Sequence, residues 1–460
     1  MHRRTFLKSL ALAAMAGRVG LAQTTRKPNV VFIMVDDMGY ADLGCYGSKV
    51  LNTPNLDRMA AEGMRFTDAY SGCTVCAPAR SALMTGKHLG HAKVRGNTGG
   101  IPMPASETTV AEVLKSQGYA TGGFGKWGLG DIATEGVPEK NGFDRFYGYY
   151  HQIHAHYYYP EYLIRNGKKE FLEGNAGGNQ QAYSHYLICE EAKRFIRENR
   201  DKPFFCYCPW TPPHGRYEIP EDDAAWQKYK DREGWGRNAK VVAAMTEMVD
   251  RNVGEILDLL KELKIDDDTI VFFCSDNGAS ERFEGTLDSC GALRGRKRDM
   301  YEGGIRVPMV VRWPGRMKAG QVSDLPWYFP DVMPTVAELA GAETPPDIDG
   351  ISVVPTLLGK GAQRKHECLY WEWPFYDWGT KAYVADGLEQ AVRSGHWKML
   401  RHSRSEAWQL YDLANDIGEQ HNLAGEHPEV VRRLEEWIAA NRVEMVPQSE
   451  PKMPEGRKYR

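Results

Sequence analysis

Residues 27–47 read KPNVVFIMVDDMGYADLGCYG, and the run Val30–Val35 within them decides the fold class. An apolar run with no polar alternation marks a strand buried on both faces, as in a parallel sheet covered on each side by helices. The run gives way at once to Asp36-Asp37. Three later stretches repeat this design: GYATGGFGKW runs into Lys126, FFCYCPWTPPHG into His214, and TIVFFCSDNG into Asp276-Asn277. Helical patterns lie between them. TPNLDRMAAEGMRF has Thr53 as N-cap, Pro54 at the first helical position and Gly63 as the stop, and TTVAEVLKSQG ends on Gly118 in the same way. SHYLICEEAKRFIRENR and the long amphipathic KVVAAMTEMVDRNVGEILDLLKELK precede the last two strands. Strands alternating with helices predict an α/β fold built on a large, mainly parallel mixed sheet with helices on both faces. Ligands of open α/β sheets bind beyond the C-terminal strand ends. Four such ends carrying Asp, Lys and His therefore point to a site there.

The texture changes after DVMPTVAELAGAETPPDIDGIS, where Pro345-Pro346 marks a boundary. QAVRSGHWKMLR and AWQLYDL read as strands and HPEVVRRLEEWIAAN as a helix. The expected division is a catalytic domain over residues 27–345 and a smaller C-terminal α+β subdomain over 346–460.

The first 22 residues read differently. Arg3-Arg4 precede Phe6-Leu7-Lys8, an apolar stretch from Leu10 to Met15 follows, and Gly20 and Ala22 flank a cleavage point. This is the pattern of a twin-arginine signal peptide, which predicts a periplasmic or secreted protein. No cysteine follows closely enough for a lipid anchor, and no later apolar run is long enough to span a bilayer, so no stable membrane anchor is expected. The net charge of −3 gives no global basic field and argues against nucleic acid. The nine cysteines are irregularly spaced in a long chain, unlike a disulfide framework.

Two of them stand in CTVCAPARSALMTGKH, from Cys73 to His88. Zinc would need a second ligand pair with suitable spacing, and a redox CxxC would need a thioredoxin-like context; neither is evident. Pro78 suits the first turn of a helix, which puts Cys76 near its positive end, where a thiolate or a bound anion is favoured. Arg80, four residues on, returns to the same side.

CAPAR fits the C-x-P-x-R signature of the sulfatase family, and SALMTGK continues the likeness. PNVVFIMVDDMGYADLGCYG, TPNLDRMAAEGMRFTDAY, GYATGGFGKW, PHG, SDNG, LRGRK with MYEGGIRVP, and LYDLANDIGEQHNLA resemble sulfatase segments in sulfatase order, over nearly the whole chain after the signal. The resemblance implies an alkaline-phosphatase-like fold. It also implies conversion of Cys76 to Cα-formylglycine by a formylglycine-generating enzyme. One hydroxyl of the hydrated aldehyde attacks sulfur, and the other then expels sulfate, which splits one hard step into two. Asp36, Asp37, Asp276 and Asn277 offer an all-oxygen set suited to Ca2+, with position 76 as a further contact by resemblance. Arg80, Lys126 and Lys297 would place positive charge around the sulfuryl group, as would His214 when protonated. His214 is also a candidate to protonate the leaving alcohol.

One departure stands out. Many family members read GKWHLG where this chain reads GKWGLG, with Gly128 in place of a histidine assigned to help expel sulfate. His151, His154 and His156, or His88 and His91, are candidates for that role or, preferably, for shaping the substrate pocket. The expected substrate is a sulfated carbohydrate, with galactose-type units suggested by the likeness of HAKVRGN and AHYYYPEYLIRNG to polysaccharide-degrading members. Two rivals are a phosphonate or phosphodiester hydrolase using the same nucleophile, and a glycan-binding pseudoenzyme suggested by Gly128.

Overall fold

The computed structural model describes residues 26–446 and residue 448; the signal peptide expected over residues 1–22 lies outside them. A ten-stranded sheet forms the centre of the molecule. Its middle strands, in spatial order Thr269–Ser275, Asn29–Val35, Phe204–Pro209, Ala120–Lys126 and Arg145–Tyr149, are all parallel. Antiparallel strands flank them, Met309–Arg312 on one side and Tyr162–Arg165 on the other.

The continuous apolar runs are buried on both faces because each face has its own core. Val30, Phe32 and Met34 point into one, with Ala79, Leu83 and Met84 of the helix Cys76–Thr85 and with Val332 and Val336 of the helix Val332–Ala340. Val31, Ile33 and Val35 point into the other, against Leu56 and Met59, Ile188 and Phe195, and Val253 and Leu257. Parallel pairing puts the C-terminal ends of these strands on one edge: Val35 lies opposite Ser275, and Met34 opposite Pro209.

A four-stranded antiparallel sheet follows, made of Leu369–Asp377, Ala382–Ser394, Trp397–Arg401 and Gln409–Asp412. The helix Pro428–Ala440 covers one face through Leu434 and Ile438. The other face joins the main core, where Trp371 packs against Tyr70 and Tyr328. Buried Lys398 sits 2.9 Å from both Glu302 and Glu419, so an ion pair as well as apolar contacts ties the small sheet to the helix Glu302–Ile305. The strand Leu369–Asp377 was not foreseen in the sequence, and it walls the site described next. Among the described residues no helix is long and apolar enough to cross a membrane.

Candidate active site

Cys76 is the first residue of the helix Cys76–Thr85 and is 2% exposed. Its Sγ lies 3.3 Å from Asp36 Oδ1 and 3.4 Å from Lys297 Nζ. One turn on, Arg80 Nη2 reaches Asp276 Oδ2 at 2.7 Å and Asp36 Oδ2 at 3.4 Å, while Nη1 donates to the Lys126 carbonyl at 2.5 Å. Lys126, the last residue of its strand, places Nζ 2.5 Å from Asp36 Oδ2. Lys297 Nζ also donates to Asp37 Oδ1 at 2.6 Å. Asp37 adopts a left-handed backbone, φ +66°, a conformation that costs energy for a residue with a Cβ and is concentrated at functional sites. His214 Nε2 lies 3.5 Å from Asp37 Oδ2. Asp36, Asp37, Cys76, Arg80, Lys126, His214, Asp276 and Lys297 thus meet in one buried cluster, whereas Cys73 lies apart with its Sγ 3.7 Å from the Glu372 carbonyl.

The charges are strongly coupled. Burial pushes Asp36 up, but Lys126 first, then His214, Arg80 and Lys297, outweigh it and hold the carboxyl well below the usual range. Burial, with Asp36 as the next cause, pushes Asp276 up to about 7. The Cys76 thiol rises to about 12, again through burial and then Asp36, so the helix terminus does not deliver the thiolate that its position suggested. Burial lowers His214 to about 4 against the pull of Asp37 and Asp36. Its Nδ1 lies 3.0 Å from the Gly215 carbonyl, which only accepts, so Nδ1 bears the proton of the neutral ring and Nε2 is bare. Burial thus works against a positive charge on His214, while Arg80, Lys126 and Lys297 are the cations paired with the carboxylates.

The oxygen donors at this site suit a hard cation. Ligand atoms of Asp36, Asp37, Cys76 and His214 all lie within 4.8 Å of one another. Asn277 donates from Nδ2 to Asp37 Oδ1 at 2.7 Å, yet its buried Oδ1 has no hydrogen-bond partner. An orphaned carbonyl beside carboxylates is the oxygen chemistry that Ca2+ takes. The sequence had not shown that Arg80, Lys126 and Lys297 bond directly to these carboxylates and already compensate much of their charge.

A cleft of about 560 Å³ opens above Cys76, lined also by Asn97, Gln152, His156, His214, Lys297 and Arg298. Of the five other histidines considered, only His156 lines it, stacked 4.4 Å from the His214 ring. His154 is a core residue packed edge-on to Tyr149 at 5.0 Å. His151 is buried with its Nδ1 accepting from the Ile153 amide. His88 and His91 both face Asp349. Gly128 has φ +81°, and a Cβ there would meet Gln152 Cγ at 3.3 Å and Arg80 Cδ at 3.4 Å. A side chain at 128 is thus disfavoured by the backbone and meets Gln152, whose Nε2 donates to Asn97 Oδ1 at 2.9 Å. Asn97 Oδ1 also accepts from the Ala77 amide at 3.0 Å, which ties this polar pair to the helix start. Asn97 ends the HAKVRGN stretch noted in the sequence, but neither it nor Gln152 was given a role there; their pairing depends on loops meeting in space.

Cationic and carboxylate groups gathered around a residue at a helix N-terminus, beyond the C-terminal edge of a parallel sheet, define an alkaline-phosphatase-like hydrolase. The family model described as Sulfatase matches residues 28–342, and that described as N-sulphoglucosamine sulphohydrolase, C-terminal, matches residues 295–444. Arylsulfatase A of Homo sapiens is 32% identical over 487 residues, covering 93% of this chain and 90% of its own. N-acetylgalactosamine-6-sulfatase of Canis lupus familiaris is 34% identical over 451 residues, covering 90% and 80%. The crystal structure of Ps i-CgsB in complex with k-i-k-neocarrahexaose superposes with a TM-score of 0.77 at 29% identity, covering 91% of this chain and 94% of that one. The chain belongs to the sulfatase family and is a sulfuric ester hydrolase.

Proposed function

We propose that this protein is an exported sulfatase that removes sulfate from a sulfated carbohydrate, galactose-type units included, through a formylglycine made from Cys76 by a formylglycine-generating enzyme. The observation that carries this reading is the placement of Cys76: buried at the floor of an open cleft, against Asp36 and Lys297, with Arg80 one turn away. A relative named N-acetylgalactosamine-6-sulfatase and another crystallised with k-i-k-neocarrahexaose support a sugar substrate. Export rests on the Arg3-Arg4 leader in the sequence.

In this reading Asp36, Asp37, Asp276 and Asn277 hold Ca2+. Bound there, Ca2+ would offset charge on the sulfuryl oxygens, and position 76, once converted to formylglycine, would supply the nucleophilic oxygen. Arg80, Lys126 and Lys297 are fixed by their carboxylate partners before substrate arrives, so charge developing on the sulfuryl group meets preorganised cations. His214 lines the same cleft; the negative charge of a bound sulfate ester favours its imidazolium form, whose Nε2 proton would pass to the leaving oxygen. His214→Ala is then expected to lower turnover of alkyl sulfates about tenfold or more beyond its effect on 4-nitrophenyl sulfate, because a poor leaving group needs the proton. Equal losses on both esters would assign His214 to binding.

The activity is tested by sulfate release from sulfated galactose, N-acetylgalactosamine and N-acetylglucosamine, together with paired sulfate and phosphate esters of one phenol. We expect release from at least one sugar and a sulfate preference of about 100-fold or more. A phosphate preference would favour the phosphonate or phosphodiester reading, and hydrolysis of aryl sulfate alone would remove the carbohydrate.

A further inference from the structure

The hairpin joining the strands Leu369–Asp377 and Ala382–Ser394 reaches over the cleft. Among the described residues, the large hydrophobic side chains left exposed are Ile153, Phe171, Val322, Phe375, Trp378, Val384, Val443 and Val446. Ile153, Phe375 and Trp378 line the same cleft as Cys76 and His214. Exposed apolar surface gathered in one groove marks a binding site, whereas scattered residues need no explanation.

The rings are held in place from behind. Tyr376 packs edge-on to Trp378 at 5.1 Å and to Tyr383 at 5.1 Å, and buried Trp373 lies edge-on to Phe375 at 6.3 Å. The strand register shifts between Pro374 and Tyr376, which leaves Phe375 out of the ladder. Gly387 lies beneath it: a Cβ there would come within 2.9 Å of Phe375 Cβ. Rings fixed in advance lose little entropy when a ligand covers them. Polar groups of Gln152, Arg298 and Asp377 surround them. Apolar faces with a polar rim complement a sugar ring, which presents C–H groups on its faces and hydroxyls at its edge.

Depth decides which sugar unit is met. Cys76 is 2% exposed at the floor, whereas Phe375 is 47% and Trp378 62% exposed at the mouth. We propose that Phe375 and Trp378 form a stacking platform for the sugar unit linked to the one that bears the scissile sulfate, so that the protein selects oligosaccharides over free monosaccharides. This inference rests on the carbohydrate reading above.

The test compares kcat/KM for sulfated mono- and tetrasaccharides of the galactose, N-acetylgalactosamine and N-acetylglucosamine series, in the full chain and in Phe375→Ala, Trp378→Ala and the double variant. In the series that is hydrolysed, the tetrasaccharide is expected to exceed its monosaccharide by about tenfold or more, mainly through KM. The double variant brings the two within about twofold, and Trp378→Phe restores most of the preference. A preference unchanged in the double variant, or absent from the unaltered protein, overturns the platform while leaving the carbohydrate reading standing. If no sugar is hydrolysed but 4-nitrophenyl sulfate is, the carbohydrate reading falls and the platform with it.

Discussion

A Cys76→Ala protein is expected to release no measurable sulfate, a fall of about 10⁴-fold or more, as when a covalent nucleophile is removed. Cys73→Ala keeps its turnover. The two cysteines lie three residues apart, yet only Cys76 carries proline at +2 and arginine at +4 and touches Asp36 and Lys297. Mass spectrometry separates a modified side chain from a working thiol, because an aldehyde is not alkylated. Trypsin cleaving after Arg65 and Arg80 releases one peptide, Phe66 to Arg80, that contains both cysteines. After reduction and iodoacetamide treatment, active protein should give this peptide with a single alkyl group, on Cys73, and a hydrazide-reactive carbonyl at position 76. Fully active enzyme alkylated at both cysteines would rule out formylglycine here. Burial already sets the unmodified thiol at about 12, a poor starting point for a thiolate mechanism.

Removing the cation is the second large effect. Treatment with a chelator is expected to lower kcat about 100-fold or more, with recovery on adding Ca2+, and Asp37→Asn should resist that recovery. Asparagine keeps the shape of the side chain, so Lys297 and His214 retain a polar neighbour where alanine would leave a gap. A readout other than activity is needed: metal analysis should find about one calcium per chain in the unaltered protein and none in Asp37→Asn, and Ca2+ should raise the Tm of the unaltered protein only. Full activity in metal-free protein would refute the calcium reading and leave Arg80, Lys126 and Lys297 as the sole compensation for the three carboxylates.

Much of this was legible in the chain. Uninterrupted apolar runs such as Val30–Val35 specify strands buried on two faces, and the polar residues that end them locate the site edge before any contact is known. Leu369–Asp377 was missed because LYWEWPFYD mixes aromatics with Glu372, Pro374 and Asp377 and carries no clean alternation. Its burial comes from packing between Tyr70 and the helix Pro428–Ala440, which is tertiary context.

By itself the sequence determined the α/β class, the motif at Cys76 and the residues that would gather around it, because strand periodicity and motif spacing are local properties of the chain. Only the tertiary structure decided which side chains touch. It joined Asn97 to Gln152 beside the helix start, buried His154 in the core while leaving His156 in the cleft, and set burial against a charge on His214. It also brought Phe375 and Trp378, some 300 residues along the chain from Cys76, to the mouth of the same cleft. Those outcomes depend on desolvation and on contacts between distant segments, which exist only once the two sheets have packed together.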